Sequence, residues 1–367
     1  MRIAIVGTRG IPARYGGFET FAEELSTRLV QRGHQVAVYC RQPFPDRVYR
    51  GVCRYELPTI RHKYLDTPVH AFLSSLHLLR HRPDVALYCN AATAVFTLLP
   101  RIVGIPVALN VDGVERKRRK WNLLGKAWYW ISEWLSTWCP NSVISDALTI
   151  QRYYLERFGK PTTYIPYGAH IGPLETTRAL QQLGLERRRY FLYVSRMEPE
   201  NNALLVRQAF ERVRTDLRLV LVGDAPYAQR YIRKVRDTQD PRILFPGAIY
   251  GTGYHELLSH CYAYIHATEV GGTHPALVEA MGRGCLILYL ETEENREVAG
   301  GAGIPFRPYN LSERIQEVLH YSEAEADRFR QRAIERARQR YNWDSITEAY
   351  EKLFDQLVRR TRTSNHA

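Results

Sequence analysis

The sequence predicts an α/β fold of two successive units, each an open parallel sheet with helices on both faces. Three observations carry this. Short β-like runs alternate with helical patterns throughout the 367 residues. One stretch, 165–176, holds Pro166, Gly168, Gly172 and Pro173 and breaks the rhythm. After it the strand–helix alternation starts again. Such alternation marks parallel sheets, and the length suits two domains with separate cores.

In the first unit, residues 3–6 form the opening strand and 17–31 a helix that stops at Gly33. Further strands are expected at 36–39, 85–88, 107–111 and 143–144, with helical stretches between most of them. In the second, strands are expected at 191–194, 217–222, 242–245, 263–266 and 286–289. Helices are expected at 202–213, near 228–236, near 254–260 and at 275–283. The domains are therefore drawn at 1–170 and 171–342. A last helix, 343–361, carries Ile346, Tyr350, Leu353 and Leu357 at helical spacing and is expected to pack back on the first domain. Two such sheets joined by a Pro/Gly link imply a cleft, and open α/β sheets bind ligands at the carboxyl ends of their strands.

Bulk properties exclude several classes. Hydrophobic residues are 45% and charged residues 24%, ordinary values for a globular chain. The start, MRIAIVG, lacks the pattern of a signal peptide. The apolar stretch 85–100 is broken by Asn90, Thr93 and Thr97, and spanning a bilayer takes about 20 apolar residues. A cytoplasmic protein, not integral to a membrane, is expected. The cysteines (Cys40, Cys53, Cys89, Cys139, Cys261 and Cys285) form no C-x-x-C pair, so buried thiols are expected in place of a zinc site or a disulfide framework. A net charge of +13 calls for an acidic partner. Scattered arginines and the lack of a nucleic-acid motif argue against DNA or RNA.

The first strand leads into a glycine-rich loop containing Gly7, Arg9, Gly10, Gly16 and Gly17, and a helix follows. Glycines at such a turn let backbone approach a ligand, and a helix N-terminus favours anions. The spacing is not G-x-G-x-x-G, and no acidic residue ends the strand at 36–39, which disfavours a nicotinamide dinucleotide. Nor is there a P-loop sequence.

The run VGTRGIPARYGGFETFAEEL resembles the opening of a subgroup of family 4 retaining glycosyltransferases, best known for rhamnosyltransferases of bacterial polysaccharide assembly. The resemblance continues through NVDGVE at 110–115, the basic run before Trp121, YIPYGA at 164–169, SRMEPENN at 195–202 and EVGGTHP at 269–275. It implies the GT-B type of fold, two facing Rossmann-like domains with a cleft between them, and a nucleotide-diphospho sugar as donor, with deoxythymidine-diphosphate rhamnose the first expectation.

The donor site is assigned in the second domain. Departure of a nucleoside diphosphate leaves charge that cations or helix N-termini must neutralise. Arg196, at a strand's carboxyl end, is placed on the diphosphate. The resemblance implies a Lys five residues later, and this chain has Asn201 there. It also implies two glutamates separated by seven residues. Glu279 matches the later one, assigned to the ribose. Gly271 and Gly272 stand near the place of the earlier one, and Glu269 lies ten positions before Glu279. The turn Gly271-Gly272-Thr273-His274 is expected to present amides to the diphosphate or the sugar, and Gly247 to lie against the nucleobase. Gly16, Gly17 and Arg9 are assigned to the phosphate or acceptor loop.

Asp112 follows the strand at 107–111 and is the candidate to orient a reacting hydroxyl; a turn aspartate capping local backbone has the same signature. The family implies a same-face reaction with no covalent nucleophile, in which the leaving phosphate helps deprotonate the acceptor. No D-x-D-like triplet appears, so no metal and no other cofactor is expected.

Five consecutive cations, Arg116 to Lys120, run into a segment, 121–138, that holds five of the six tryptophans. Leu124, Trp128, Ile131, Leu135 and Trp138 recur at spacings of four and three. A basic cluster beside such a helix suits an anionic membrane surface, with Arg118, Lys120 and Trp128 as the contacts. A core-packing helix beside a solvated charge run gives the same pattern. The partners expected are thus a nucleotide-sugar donor, a lipid-linked or polysaccharide acceptor, and the inner face of the plasma membrane, where the protein would sit peripherally. Asn201 and Gly271 also motivate an alternative, a membrane-associated glycan-binding scaffold without turnover. A uridine- or guanosine-diphospho sugar is a further alternative for the donor.

Overall fold

The computed structural model describes residues 1–14, 16–62, 64–225 and 228–364, with the backbone alone for Ser364. The chain divides into two compact units. One comprises Met1–Lys117, Trp121–Tyr167 and Trp343–Ala367; the other comprises Arg118–Lys120 and Gly168–Asn342.

The first unit is built on strands β1 (Arg2–Val6), β2 (Gln35–Cys40), β3 (Val48–Tyr49), β4 (Val52–Glu56), β5 (Val85–Cys89), β6 (Val107–Asn110), β7 (Ser142–Ser145) and β8 (Thr163–Tyr164). They lie in the order β3-β4-β2-β1-β5-β6-β7-β8, parallel except for the β3–β4 pair. The central strands are buried on both faces, as a sheet covered by helices requires. Ile3 and Ile5 of β1 enter one core cluster while Ala4 and Val6 enter another. The helix Gly17–Gln31 buries Phe21, Leu25 and Leu29 on the first of these faces.

The C-terminal helix Trp343–Ser364 covers the same face with Ile346, Tyr350, Leu353, Phe354 and Leu357. Tyr350 and Phe354 are fully buried, each contributing roughly 1.5–3 kcal/mol. Glu351 fastens it further, accepting from Arg32 at 2.9 Å and lying 2.6 Å from His34 Nε2.

The second unit carries β9 (Tyr190–Val194), β10 (Arg218–Val222), β11 (Ile243–Gly247), β12 (Ala263–His266), β13 (Ile287–Leu290) and β14 (Ile304–Phe306). Their order is β11-β10-β9-β12-β13-β14, all parallel. The chain thus winds outward from β9 through β10 to β11, then returns to β12 beside β9 and winds the other way. The β9/β12 boundary is a topological switch point, where loops leave adjacent strands toward opposite faces and open a crevice. In the first unit the boundary between β1 and β5 has the same character, and the glycine-rich loop leaves β1 there.

Several elements absent from the sequence expectation are short or weakly patterned, although β4 and the amphipathic helix Leu311–Leu319 are neither. Strands β3 and β8 have two residues each. The helix Glu323–Arg340 is strongly charged and buries mainly Ala326, Ala333 and Ala337, but it opens on a capping box made by Ser322 and Glu325.

Candidate functional site

The β9 end is shaped by a close backbone crossing. Gly223, just past β10, has φ +148, and a Cβ there would stand 1.8 Å from the Ser195 carbonyl oxygen. Only glycine lets the two strand ends approach so closely. The chain then turns through Arg196 into the short 3₁₀ segment Pro199–Asn201 and the helix Ala203–Glu211. The Asn201 amide donates to the Arg196 carbonyl at 2.7 Å, and its own carbonyl accepts from the Tyr193 hydroxyl at 2.7 Å. Asn201 is 3% exposed. It therefore fixes the loop that carries Arg196, and it presents no charge.

The Arg196 guanidinium lies 3.8 Å from Glu198 Oε2. Glu200, two residues on, is fully buried. Burial, then the nearby Glu198 charge, raises its pKa above the usual carboxylate value. The cation facing it is Arg118, at 3.8 Å from Glu200 Oε1. Lys120 lies 3.5 Å from Glu198 Oε1, and Arg119 forks onto Glu269 at 2.9 and 3.0 Å. Glu269 also accepts from Asn202 at 3.0 Å.

Arg118 and Lys120, expected from the sequence at a membrane, are placed on acids of the second unit. A run of like charges pairs with whatever anions the fold brings to it. Here Glu198, Glu200 and Glu269 line the loops after β9 and β12, and Arg118 is buried. Arg116 of the same run pairs with Glu133 at 3.0 Å within the first unit.

Beyond β12, the loop 267–274 leads into the helix Pro275–Gly282, with Pro275 at its first position. Gly271 is tightly covered, since a Cβ there would stand 2.2 Å from His274 Nε2. The His274 ring is oriented by its Nδ1, 2.7 Å from Asn295 Oδ1. The Asn295 amide donates to the Thr268 and Leu290 carbonyls, which leaves its oxygen as acceptor and His274 Nδ1 as donor. Burial lowers the His274 pKa to about 4, so the ring is neutral near pH 7. Thr273 is buried. Gly272 lies in the same turn, and Gly247 ends β11 at φ +84, its carbonyl accepting from the Gly223 amide at 2.9 Å.

Glu279 is 2% exposed and faces two histidines that the sequence did not single out. His170 reaches it by the backbone amide at 3.3 Å and by Nδ1 at 3.1 Å, and His255 Nδ1 lies 3.7 Å away. The approach is possible because residue 282 is glycine: a Cβ there would meet the His170 carbonyl at 2.3 Å. Among the described residues His170, His255 and Glu279 form the group that could hold a metal ion. Arg283 Nε, 3.4 Å from His255 Nδ1, adds a positive charge beside it.

In the first unit, Arg9 is held in the glycine-rich loop by its amide on Glu19 (2.8 Å) and its guanidinium 3.4 Å from Asp66. Arg41 shares Asp66 at 3.0 Å and donates to the Gly7 carbonyl. Gly16 is the N-cap of the helix that begins at Gly17, with no side chain to cap it. Tyr15, within this loop, lies outside the described residues. Asp112, after β6, has φ +58. Its amide donates to Asn110 Oδ1 at 3.0 Å, and its carboxylate accepts from the Tyr167 hydroxyl at 3.2 Å. Thus Asp112 and the Gly7–Gly17 loop belong to the first unit, while Arg196, Asn201, Gly247, Gly271 to His274, and Glu279 belong to the second.

The tryptophan segment forms the helix Leu123–Ser136, and its orientation is inverted. Ser132, Glu133 and Ser136 are buried, whereas Leu123, Leu124, Trp130, Ile131 and Trp134 are exposed. Trp138, just beyond, is 67% exposed. Trp128 is only half-buried and its indole nitrogen is turned inward, so the exposed tryptophans are Trp130, Trp134 and Trp138 instead. Polar groups face the protein because they have partners there: Glu133 takes Arg116 and the Tyr153 hydroxyl, and Ser136 donates to Tyr154. Among the described residues no helix is long and apolar enough to cross a membrane.

Comparison with known proteins agrees with this two-unit architecture. Residues 15–171 match the family model "Glycosyltransferase Family 4", and residues 188–322 match "Glycosyl transferases group 1". No curated protein sequence matches the chain. Among solved structures, sucrose-phosphate synthase from Thermosynechococcus elongatus superposes with a TM-score of 0.78 at 18% identity, covering 97% of this chain and 98% of that one. The Anabaena protein HepE, in complex with UDP and glucose, gives 0.79 at 15% identity over 97% and 100%. WaaG, a glycosyltransferase involved in lipopolysaccharide biosynthesis, gives 0.72 at 15% identity over 97% and 99%. At these identities the superpositions establish the GT-B fold, and the two family models, one on each unit, establish that the chain belongs to the group 1/family 4 glycosyltransferases.

Proposed function

We propose that the protein transfers rhamnose from deoxythymidine-diphosphate rhamnose to a lipid-linked or polysaccharide acceptor, with retention, at the inner face of the plasma membrane. The observation that carries the donor half is the β9/β12 switch point, whose two loops bear Arg196 and the Gly271-Gly272 turn beside the buried Glu279. Arg196 stabilises the diphosphate as the sugar leaves it, and the N-terminus of the helix Pro275–Gly282 adds positive potential. Glu279, held by His170, accepts from the ribose hydroxyls. Asp112 orients the acceptor hydroxyl, and the departing phosphate takes its proton. The nucleotide sugar is a co-substrate, and the reading requires no metal or other cofactor.

The outward apolar face of the helix Leu123–Ser136 supports peripheral association with a membrane, since a stripe of tryptophan and leucine facing water is stabilised at a lipid interface. A uridine-diphospho sugar is the second reading, because structures of the similarly folded HepE contain UDP and UDP-glucose.

Calorimetric titration with deoxythymidine, uridine and guanosine diphosphates, each on the natural protein and on Arg196→Ala, tests the proposal. Tight binding of deoxythymidine diphosphate, lost in the variant, is the expected result. Tight binding of another base would replace the donor, and binding of none would overturn the donor site.

A further inference from the structure

We propose that Lys120, from the basic run, is the second cation of the diphosphate site, and that the diphosphate takes the place of Glu198 between the two cations. This rests on the donor-site reading above and adds to it the source of the missing charge. The carboxylate of Glu198 is shared: Oε1 lies 3.5 Å from the Lys120 ammonium and Oε2 lies 3.8 Å from the Arg196 guanidinium. Two cations from distant parts of the sequence thus converge on one anion. Both separations exceed the 2.7–2.9 Å of a tight charge-assisted hydrogen bond, so neither of these two contacts to Glu198 is a tight one.

The surroundings hold Lys120 there. Arg118 is buried against Glu200, and Arg119 forks onto Glu269, so the residues before Lys120 are tied to both strand-end loops of the switch point. The Lys120 side chain is 18% exposed. Asn201 carries no charge, and its amide is committed to the Arg196 carbonyl at 2.7 Å. A nucleoside diphosphate carries more charge than a carboxylate and offers more acceptor oxygens. It therefore displaces Glu198 and takes both cations, an ammonium acting as a point charge on phosphate.

The test uses the full chain and the nucleoside diphosphate that binds it best among the deoxythymidine, uridine and guanosine compounds, with the matching nucleoside as control. Lys120→Met is expected to raise the Kd for the diphosphate about 10- to 100-fold, the loss of one charged hydrogen bond, and to leave the nucleoside affinity unchanged. Lys120→Arg is expected to keep diphosphate binding within a few-fold. Glu198→Gln is expected to tighten it by removing the competing carboxylate. If Arg196→Ala weakens the diphosphate but Lys120→Met does not, the inference falls and the donor site stands. If neither weakens it, both fall. Equal loss of nucleoside and diphosphate binding in Lys120→Met would make Lys120 a structural residue and overturn the inference. Weaker diphosphate binding by Glu198→Gln would overturn the displacement of Glu198.

Discussion

Trp134 offers the sharpest test of the proposal that the helix Leu123–Ser136 meets a membrane. Its side chain is about half exposed, and it stands between Trp130 and Trp138 on the outward stripe. A tryptophan presents roughly 200 Å² to water when free, so about 100 Å² remains to be covered. At about 25 cal/mol per Å², full transfer from water gives about 2.5 kcal/mol. An interfacial helix sinks only partway into the acyl region, so about half of that, roughly 1.3 kcal/mol, is the contribution expected from one residue. Trp134→Ser should therefore reduce binding to vesicles of phosphatidylethanolamine and phosphatidylglycerol about tenfold, by co-sedimentation. Because the term is apolar, most of the difference should persist in high salt, which screens surface charge. Thermal stability should fall as well, by about 2 kcal/mol, since the other half of the side chain is buried within the protein, so binding is compared well below the melting transition of the variant. Tyr309→Ser, at a still more exposed position in the second unit, should leave vesicle binding unaltered. Equal partitioning of Trp134→Ser and the natural protein would refute the assignment of this face to lipid.

Two further perturbations probe the scaffold. Gly223→Ala should destabilise the protein by about 3 kcal/mol or more, from overpacking against the Ser195 carbonyl and backbone strain at φ +148, and should weaken nucleotide binding by shifting Arg196; unchanged melting and affinity would mean the strand ends are not so closely crossed. Burial lowers the pKa of His70, in the first unit, and of His274, in the second, to about 4 in each case. Because an unfolded histidine takes its proton near pH 6.5, stability should be at its full value above that pH and fall toward pH 4, by about 1.4 kcal/mol per pH unit for each ring. Lowering the pH from 7 to 5 should therefore cost about 2 kcal/mol per histidine, read as a falling denaturant midpoint; a midpoint independent of pH over this range would refute it.

Much of the sheet scaffold was legible because a strand buried on both faces is a short apolar run, and both halves repeat such runs between amphipathic helices. The helix Gly17–Gln31 and strand β12 stand where the sequence puts them. Some of what escaped were elements whose stabilisation is not local, though the amphipathic helix Leu311–Leu319 was legible and missed. The pair β3–β4 is fixed by its neighbour β2. The helix Glu323–Arg340 is fixed by small buried alanines and a capping box, which leave almost no hydrophobic period to detect. Candidate site residues divide in the same way. Gly271, Gly272 and Glu279 are visible as a turn leading into a helix. By contrast, His170 and His255 meet Glu279 from sequence separations of 109 and 24 residues, and only the folded sheet brings them together.

The basic run and the tryptophan helix locate the limit of pattern reading. Periodicity reveals that a helix has an apolar stripe, but the direction of the stripe is decided by what else is present to be buried. In the helix Leu123–Ser136 the buried side is polar because Glu133 satisfies Arg116 and the Tyr153 hydroxyl there, and burying that carboxylate without them would be costly. The apolar side is then left outside. A run of five cations is likewise read from sequence as one electrostatic object, yet the fold divides it. Arg116 neutralises a buried acid in the first unit, while Arg118 to Lys120 meet three acids in the second. Charge that looks like one exposed block in the sequence is thus spent inside the protein, and what stays outward beside it is an apolar helix face.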